Sequence, residues 1–553
     1  MVSWPPILST LMMKRSRVFV LFCCFVGLSL VSCHHHSHPE LQIFRYNESA
    51  GIATLDPAFA KDKALIWGCT QLYNGLVQLD SNLNVSPCIA KYWEISPDGC
   101  TYIFHLRNDV RFHKNALFKT SDSTRFVIAK DFLYSFNRIL DSTVASPGLW
   151  IFNEVAPDGF SAPDDTTFII RLKNPFAPFL SLLSMPYCSV VPMEVVDFYG
   201  EDFRNHPCGT GPFQFQYWKE NVKLVLRKNP HYFEQDTLGN SLPYLDAVAI
   251  TFIVDKQTAF LEFIKGNLDF MNSIDPSYKD EILTHTGKLK SKYASSINMV
   301  STPYLNTEYL GFNMTPDNEN ILNDKKIRKA INLAFDRRKM MKYMRNNVGT
   351  PGCYGFIPCG LPGFDSSSSI GYEYNPSLAL QLLDEAGYPH GQGLPEINLS
   401  TTSTYLDLCK YIQQQLGIIG ININIDVTPP AALREQMAQG KSPWFRGSWI
   451  ADYPDAENYL SLFYTSNHAP AGPNYTHFSN AEFDRLYKKS FSEPDPQVRA
   501  RYYHQMDSLV MEEAPIVVLY YDQILHFTHN YVHGLQSNAM NDLNLKQVYF
   551  SAK

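Results

Sequence analysis

The strongest constraint on this chain is a short apolar run that ends at a cysteine. Val18 to Leu30 is 13 residues long, with Lys14, Arg15 and Arg17 before it and Leu30-Val31-Ser32-Cys33 closing it. As a helix it would reach only about 20 Å, short of the roughly 30 Å hydrocarbon core of a bilayer. A basic segment, an apolar segment and small residues before a cysteine read instead as a lipoprotein signal peptide over residues 1–32. Cys33 is then the lipidation site. An ordinary secretory leader with an incidental cysteine is the competing reading. Elsewhere no segment approaches 18 uninterrupted apolar residues, so residues 33–553 are expected to fold outside the cytoplasm on a lipid anchor. Residues 33–40 would be a lipidated tether. Its histidines His34, His35, His36 and His38 either bind a transition metal or keep a linker solvated.

With 45% hydrophobic and 18% charged residues, the remaining chain has the makings of large cores, and its length allows two to four domains. Removing residues 1–32 takes away three cations and no anion, which moves the formal net charge from −7 to −10. That acidity, with no basic cluster to offset it, argues against a nucleic-acid partner. Eight cysteines fall in the body: Cys69, Cys88, Cys100, Cys188, Cys208, Cys353, Cys359 and Cys409. Most are expected to be buried thiols, with Cys353 and Cys359 the best-spaced disulfide pair.

Periodicity separates the two halves. Tyr102, Phe104 and Leu106 alternate with Ile103, His105 and Arg107, which predicts a half-buried strand after the turn at Asp98-Gly99. Val222, Leu224 and Leu226 predict a second strand, and Ala247 to Val254 a more buried third. From position 324 helices interleave. Ile327, Ala330, Ile331, Ala334 and Phe335 share one helical face. Asn375-Pro376 and Gly387 bracket another helix with a cap, a favourable first residue and a stop. A helix over Leu406 to Leu416 is followed by an alternating strand at Ile421, Ile423 and Ile425. This half reads as α/β units, and Gly349 to Gly371 as loop.

The segment Ala90 to Arg107 (Ala-Lys-Tyr-Trp-Glu-Ile-Ser-Pro-Asp-Gly-Cys-Thr-Tyr-Ile-Phe-His-Leu-Arg), continuing to Val110-Arg111-Phe112-His113, resembles the signature of the family 5 extracellular solute-binding proteins of ABC importers. Further matches follow in the family's order: Leu55-Asp56-Pro57, Leu72 to Leu76, Gly209-Thr210-Gly211-Pro212-Phe213, Arg227 to Pro230, Leu242 to Asp246, Gly266 to Asp269, Ile327 to Ala330, Asp336-Arg337, Leu382 to Pro389, Asp452 to Asp455 and Glu513 to Ile516. At Phe112-His113-Lys114-Asn115 the chain departs from the family's Phe-x-Asp-Gly, and Asn115 is expected to take the left-handed conformation there. The resemblance implies an α/β, two-lobed periplasmic-binding-protein fold of the class II type, with an extra N-terminal subdomain and a hinge between the lobes. By analogy, lobe I comprises 41–75, 205–305 and 520–553, the extra subdomain 76–204, and lobe II 306–519.

The resemblance also points to a site. Arg446-Gly447-Ser448-Trp449-Ile450-Ala451-Asp452 matches the stretch in which peptide binders hold the ligand's α-ammonium on the aspartate, here Asp452. An enclosed ammonium needs a fixed carboxylate, because an unpaired buried charge costs several kcal/mol. Trp449 lines a ligand pocket or packs in the core. Arg446 receives the ligand carboxylate or makes a structural ion pair. Tyr475 is a further cleft candidate. Gly148 stands where peptide binders often carry an aromatic, with Trp150 as its substitute. Lys61, Asp62 and Lys63 border the cleft in relatives, where two lysines favour acidic ligands or are plain surface charges.

The expected function is a lipid-anchored, monomeric binder in the cell envelope, on the periplasmic or extracellular face. It captures peptides and delivers them to an ABC permease, with no cofactor, metal or catalytic residue. A nickel chelate, haem, glutathione or a sugar is the alternative ligand, and His468 and His477 keep metal in view. A secreted hydrolase is the reading from another class, but GxSxG, HExxH and P-loop motifs are all missing from the sequence.

Overall fold

Two strands, Ile297–Phe312 and Ile516–His529, are far longer than the others, and the fold is organised around them. They belong to a computed structural model that describes Met1 and residues 41–275, 278–315 and 320–551. The leader, Cys33 and the tether lie outside the described residues. The long strands run antiparallel, with Ile297 opposite His529 at one end and Gly311 opposite Ile516 at the other. Their pairing slips between Pro303 and Thr307 and again between Glu308 and Tyr309. Proline has no N–H to give to a ladder, so an interruption there is expected. On one side of the slip, Ile297, Leu525 and Phe527 pack with Phe260 and Phe263. On the other, Leu310, Phe312, Val517 and Leu519 pack with the helices of the second half. The opposite face of the same strands, through Leu305, Tyr309, Ile516 and Val518, joins a third core, so these two strands serve three separate cores.

These strands sit at the middle of an 11-stranded mixed sheet. Outward on one side come Phe270–Asn272, Ile43–Asn47, Ala247–Thr251, Lys223–Lys228 and Phe213–Lys219. On the other side come Trp444–Ile450, Ile397–Thr401 and Ile423–Val427. Thr350–Pro351 also pairs with the second long strand, inside the stretch read as loop. A separate antiparallel sheet orders Ala90–Ile95, Thr101–Leu106, Thr167–Leu172 and Val155–Ser161. The helix Ala129–Leu140 covers it, and Phe132 and Phe136 meet Phe160 and Phe168 in an aromatic core.

The expected elements are present, with shifts at their ends. Tyr102, Phe104 and Leu106 are buried in Thr101–Leu106, as their alternation requires. Asn375 caps Pro376–Glu385 by accepting from the Leu378 N–H at 3.0 Å. The third strand stops at Thr251 rather than Val254, because Asp255 caps the helix Lys256–Ile264 and Val254 is left in solvent. Asn115 is not left-handed. Its side chain accepts from the Leu117 N–H at 3.0 Å and closes the turn that way. The body cysteines are all free. Cys353 is buried and Cys359 exposed, so the expected pair does not form.

Several of the motif segments are joints between elements. Gly209-Thr210-Gly211 runs against the end of the helix Lys63–Leu72, and Gly211 donates to the Leu72 carbonyl at 2.9 Å. A β-carbon on Gly211 would lie 2.6 Å from the Gln71 carbonyl oxygen, so only glycine allows this approach. Asp56 caps the short turn Pro57–Phe59 and holds Arg138 of the Ala129–Leu140 helix through two hydrogen bonds of 2.5 and 3.0 Å. Asp269, fully buried, takes two hydrogen bonds from the Arg45 guanidinium and one from Tyr531. Arg337, also buried, donates to the carbonyls of Val518 and Asn332.

Candidate functional site

The strand Trp444–Ile450 lies beside the first long strand, with Arg446 opposite Leu310 and Trp449 opposite Thr307. Successive side chains of a strand point to opposite faces, so Arg446 and Trp449 face opposite ways. The chain then turns at Asp452, and Asn458 holds that turn. Its side-chain oxygen accepts from the Trp449 indole N–H at 3.0 Å and from the Asp452 backbone N–H at 3.1 Å. Its amide nitrogen donates to the Asp452 carboxylate at 3.3 Å. One buried asparagine therefore fixes both the ring and the carboxylate. Asp452 itself keeps an open surface towards solvent. The protein crowding around it nevertheless raises its carboxyl above the usual aspartate range, with Asn458 and Lys63 opposing the shift.

Residues from the first half stand around it. Asp62 caps the helix Lys63–Leu72, which fixes the start of Lys63. The Lys63 ammonium donates to the Met540 carbonyl at 2.8 Å. Burial lowers its pKa, and Asp542 and Asp452 partly restore it. Tyr187 is buried and lies within range of the Asp452 charge. Its ring occupies the space beside Gly148, where an added β-carbon would come within 2.5 Å of it. Tyr187 thus fills the space above Gly148. Trp150, 37% exposed, lies 6.2 Å from the Tyr453 ring, centroid to centroid. Lys61 is exposed.

Arg446 forms a buried ion pair with Glu308 and stacks on Tyr405, 3.2 Å from the ring centroid. Burial lowers its pKa to about 10. Glu308 also accepts from Ser448 at 2.9 Å. Tyr405 borders a cavity of about 920 Å³ between the halves, lined by Asn47, Phe270 and Asn272 from one and by Arg345, Tyr405 and Leu408 from the other. Arg345 donates to Asp522 at 2.5 Å and to the Tyr520 hydroxyl at 3.0 Å. Burial raises the Tyr304 hydroxyl, and the charges of Asp522, on the edge of this cavity, and of Asp542 add to the shift.

Behind the Asp452 turn lies Glu457, fully enclosed, which accepts hydrogen bonds from the Tyr453 and Tyr487 hydroxyls. Burial pushes its carboxyl up to about 7. Between the usual glutamate value and pH 7 the folded protein holds a proton that the unfolded chain has released. Raising pH through that window therefore costs stability, on the order of 3 kcal/mol for this group. Melting the wild type and Glu457→Gln at pH 5 and pH 8 checks this. The wild type should lose more stability at pH 8 than the variant, which keeps a smaller slope from Asp507, itself raised to about 6.

The remaining sequence candidates lie further off. Tyr475 packs edge-on to Phe445 at 6.4 Å, on the Trp449 side of the sheet. His468 and His477 each place Nε2 on a backbone carbonyl, of Phe478 at 2.9 Å and of Ala469 at 3.1 Å. Among the described residues no group of three His, Cys, Asp or Glu side chains is placed to hold a metal. Asn458, Tyr187 and Arg345 were not singled out by sequence reasoning. Each is remote in sequence from the partners that give it a role, or, for Asn458, six residues along an irregular turn with no periodic signal.

Comparison with known proteins gives the family. Residues 84–471 match the family described as bacterial extracellular solute-binding proteins, family 5 Middle. The glutathione-binding protein GsiB of Salmonella choleraesuis (strain SC-B67) is 27% identical over 486 residues, covering 86% of this chain and 88% of GsiB. The periplasmic binding protein DppA of Helicobacter pylori, solved in complex with the peptide STSA, superposes with a TM-score of 0.75 at 25% identity, over 92% of this chain and 98% of DppA. HbpA2 of Haemophilus parasuis shares the fold, with a TM-score of 0.79 at 23% identity over 92% of this chain and 100% of its own. These relatives are binding proteins rather than enzymes. The chain belongs to the family 5 bacterial extracellular solute-binding proteins, two-lobed solute carriers that serve ABC importers.

Proposed function

We propose that this protein captures short peptides between its two lobes and passes them to an ABC permease, tethered to the membrane through a lipid on Cys33. The observation that carries the reading is Asp452, a carboxylate fixed by Asn458, exposed on one side and desolvated by the protein around it. A ligand ammonium offered there replaces its lost water with a charge-assisted hydrogen bond. The named ligands of the relatives, glutathione and the peptide STSA, both carry such an ammonium. A metal chelate or a sugar has none to offer. The ligand runs from Asp452 towards the 920 Å³ cavity, with Trp150 and Trp449 as apolar walls and Tyr475 behind them. Because Arg446 already pairs with Glu308, we give it a supporting place behind Tyr405. The lobes are 41–75, 205–305 and 520–553 against 306–519, with 76–204 as the extra subdomain, and the slipped pairing near Pro303 serves as the hinge.

Native mass spectrometry of the purified protein with its co-purified ligand tests the reading. The expected added mass is that of peptides a few residues long. A haem, a metal chelate or a sugar in their place overturns it.

A further inference from the structure

Asp452 shares its corner with a cation. Lys63 begins the helix Lys63–Leu72, and its head is held by the Met540 carbonyl at 2.8 Å. That contact uses one of the three donors of the ammonium. Backbone hydrogen bonds bring the two together: Ala451 donates to the Leu305 carbonyl at 2.9 Å and Leu305 to the Ala539 carbonyl at 2.8 Å, so the residue before Asp452 and the residue before Met540 meet on Leu305, while no direct ion pair among the described residues joins Lys63 to Asp452. Asp542 balances Lys63 from behind and Asn458 steadies Asp452, so each charge is positioned independently of the other. Tyr187, packed over Gly148, and the Trp150–Tyr453 contact flank the same corner. A lone ammonium would satisfy Asp452 and meet repulsion from Lys63. A head that carries an ammonium and a carboxylate a few ångströms apart satisfies both.

We infer that Lys63 is a specificity-determining residue that selects ligands whose amino end also bears a carboxylate. Two kinds of peptide have that chemistry. A γ-glutamyl peptide carries an α-carboxylate beside its ammonium, and an ordinary peptide beginning with aspartate carries a side-chain carboxylate. The inference rests on the peptide reading and narrows it. It also accounts for the Lys61-Asp62-Lys63 run, in which Asp62 is the helix cap, Lys61 is exposed and only Lys63 turns inward.

The test is calorimetry on the full-length protein with γ-Glu-Ala-Gly, Asp-Ala-Gly and Ala-Ala-Gly, using the wild type, Lys63→Met and Lys63→Arg. In the wild type at least one acidic-headed peptide should bind about 10-fold or more tightly than Ala-Ala-Gly. Which of the two does so identifies the source of the carboxylate. Lys63→Met should close that gap and leave Ala-Ala-Gly as tight or tighter, and Lys63→Arg should keep part of the gap. Equal wild-type affinity for all three peptides overturns the inference and leaves the peptide reading standing. A parallel loss for all three in Lys63→Met also overturns it, because Lys63 then only braces Met540. If no peptide binds the wild type, the peptide reading fails and this inference falls with it.

Discussion

Asp452→Asn is expected to weaken binding of a co-purified or synthetic short peptide by roughly 30–150-fold, the loss of about 2–3 kcal/mol that a hydrogen bond to a charged group supplies. Asparagine keeps the size of the side chain and a contact to Asn458, so the melting temperature should stay within about a degree of wild type. The substitution removes only the negative charge that an ammonium needs. Acid should act in the same direction in the wild type. The Asp452 carboxyl is raised, so it takes up a proton at a higher pH than an ordinary aspartate and affinity falls earlier on acidification. A bound ammonium opposes that protonation, so at higher peptide concentration the site stays occupied to lower pH. The variant should lack this limb of the pH profile. Calorimetry from pH 4 to pH 8 on both proteins reads all of this. Unchanged affinity in Asp452→Asn removes Asp452 from the site.

Arg138→Met should be the most damaging single change outside the site. The guanidinium and the Asp56 carboxylate are 12% and 4% exposed and make two hydrogen bonds. They join the segment beside the cleft to the helix that covers the four-stranded sheet. Without Arg138, Asp56 keeps a charge with little water and no countercharge, a cost of about 3–5 kcal/mol. The midpoint of urea unfolding should drop accordingly. Adding Asp56→Asn should recover much of the loss, because asparagine still caps Pro57–Phe59 and brings no charge. If Arg138→Met unfolds like the wild type, the ion pair does not hold these parts together.

Much of the local structure was legible because it depends on near neighbours. The Tyr102-Phe104-Leu106 alternation, the Asn375 cap and the Asp98-Gly99 turn each need only a few consecutive residues, and each is present. The errors come where another hydrogen bond or ion pair competes for the same residue. Val254 has the composition of a strand, but the cap at Asp255 ends the strand before it. Asn115 suits a left-handed turn, but its side chain closes the turn by another hydrogen bond. Arg446 suits a ligand carboxylate or a structural ion pair alike, and the partner that the structure gives it, Glu308, lies 138 positions earlier.

The site divides in the same way. By itself the sequence determined the residue types with useful chemistry, the order of the elements and, through a dozen short matches, the family. Those follow from covalent order and local propensity. Only the tertiary structure decided which charges meet. It brought Lys63, Gly148, Tyr187, Asp452 and Met540 to one corner, although almost 480 positions separate the first from the last. The physical reason is the pair of long strands. They carry the chain between separate cores, and the 920 Å³ cavity opens where two of those cores face each other.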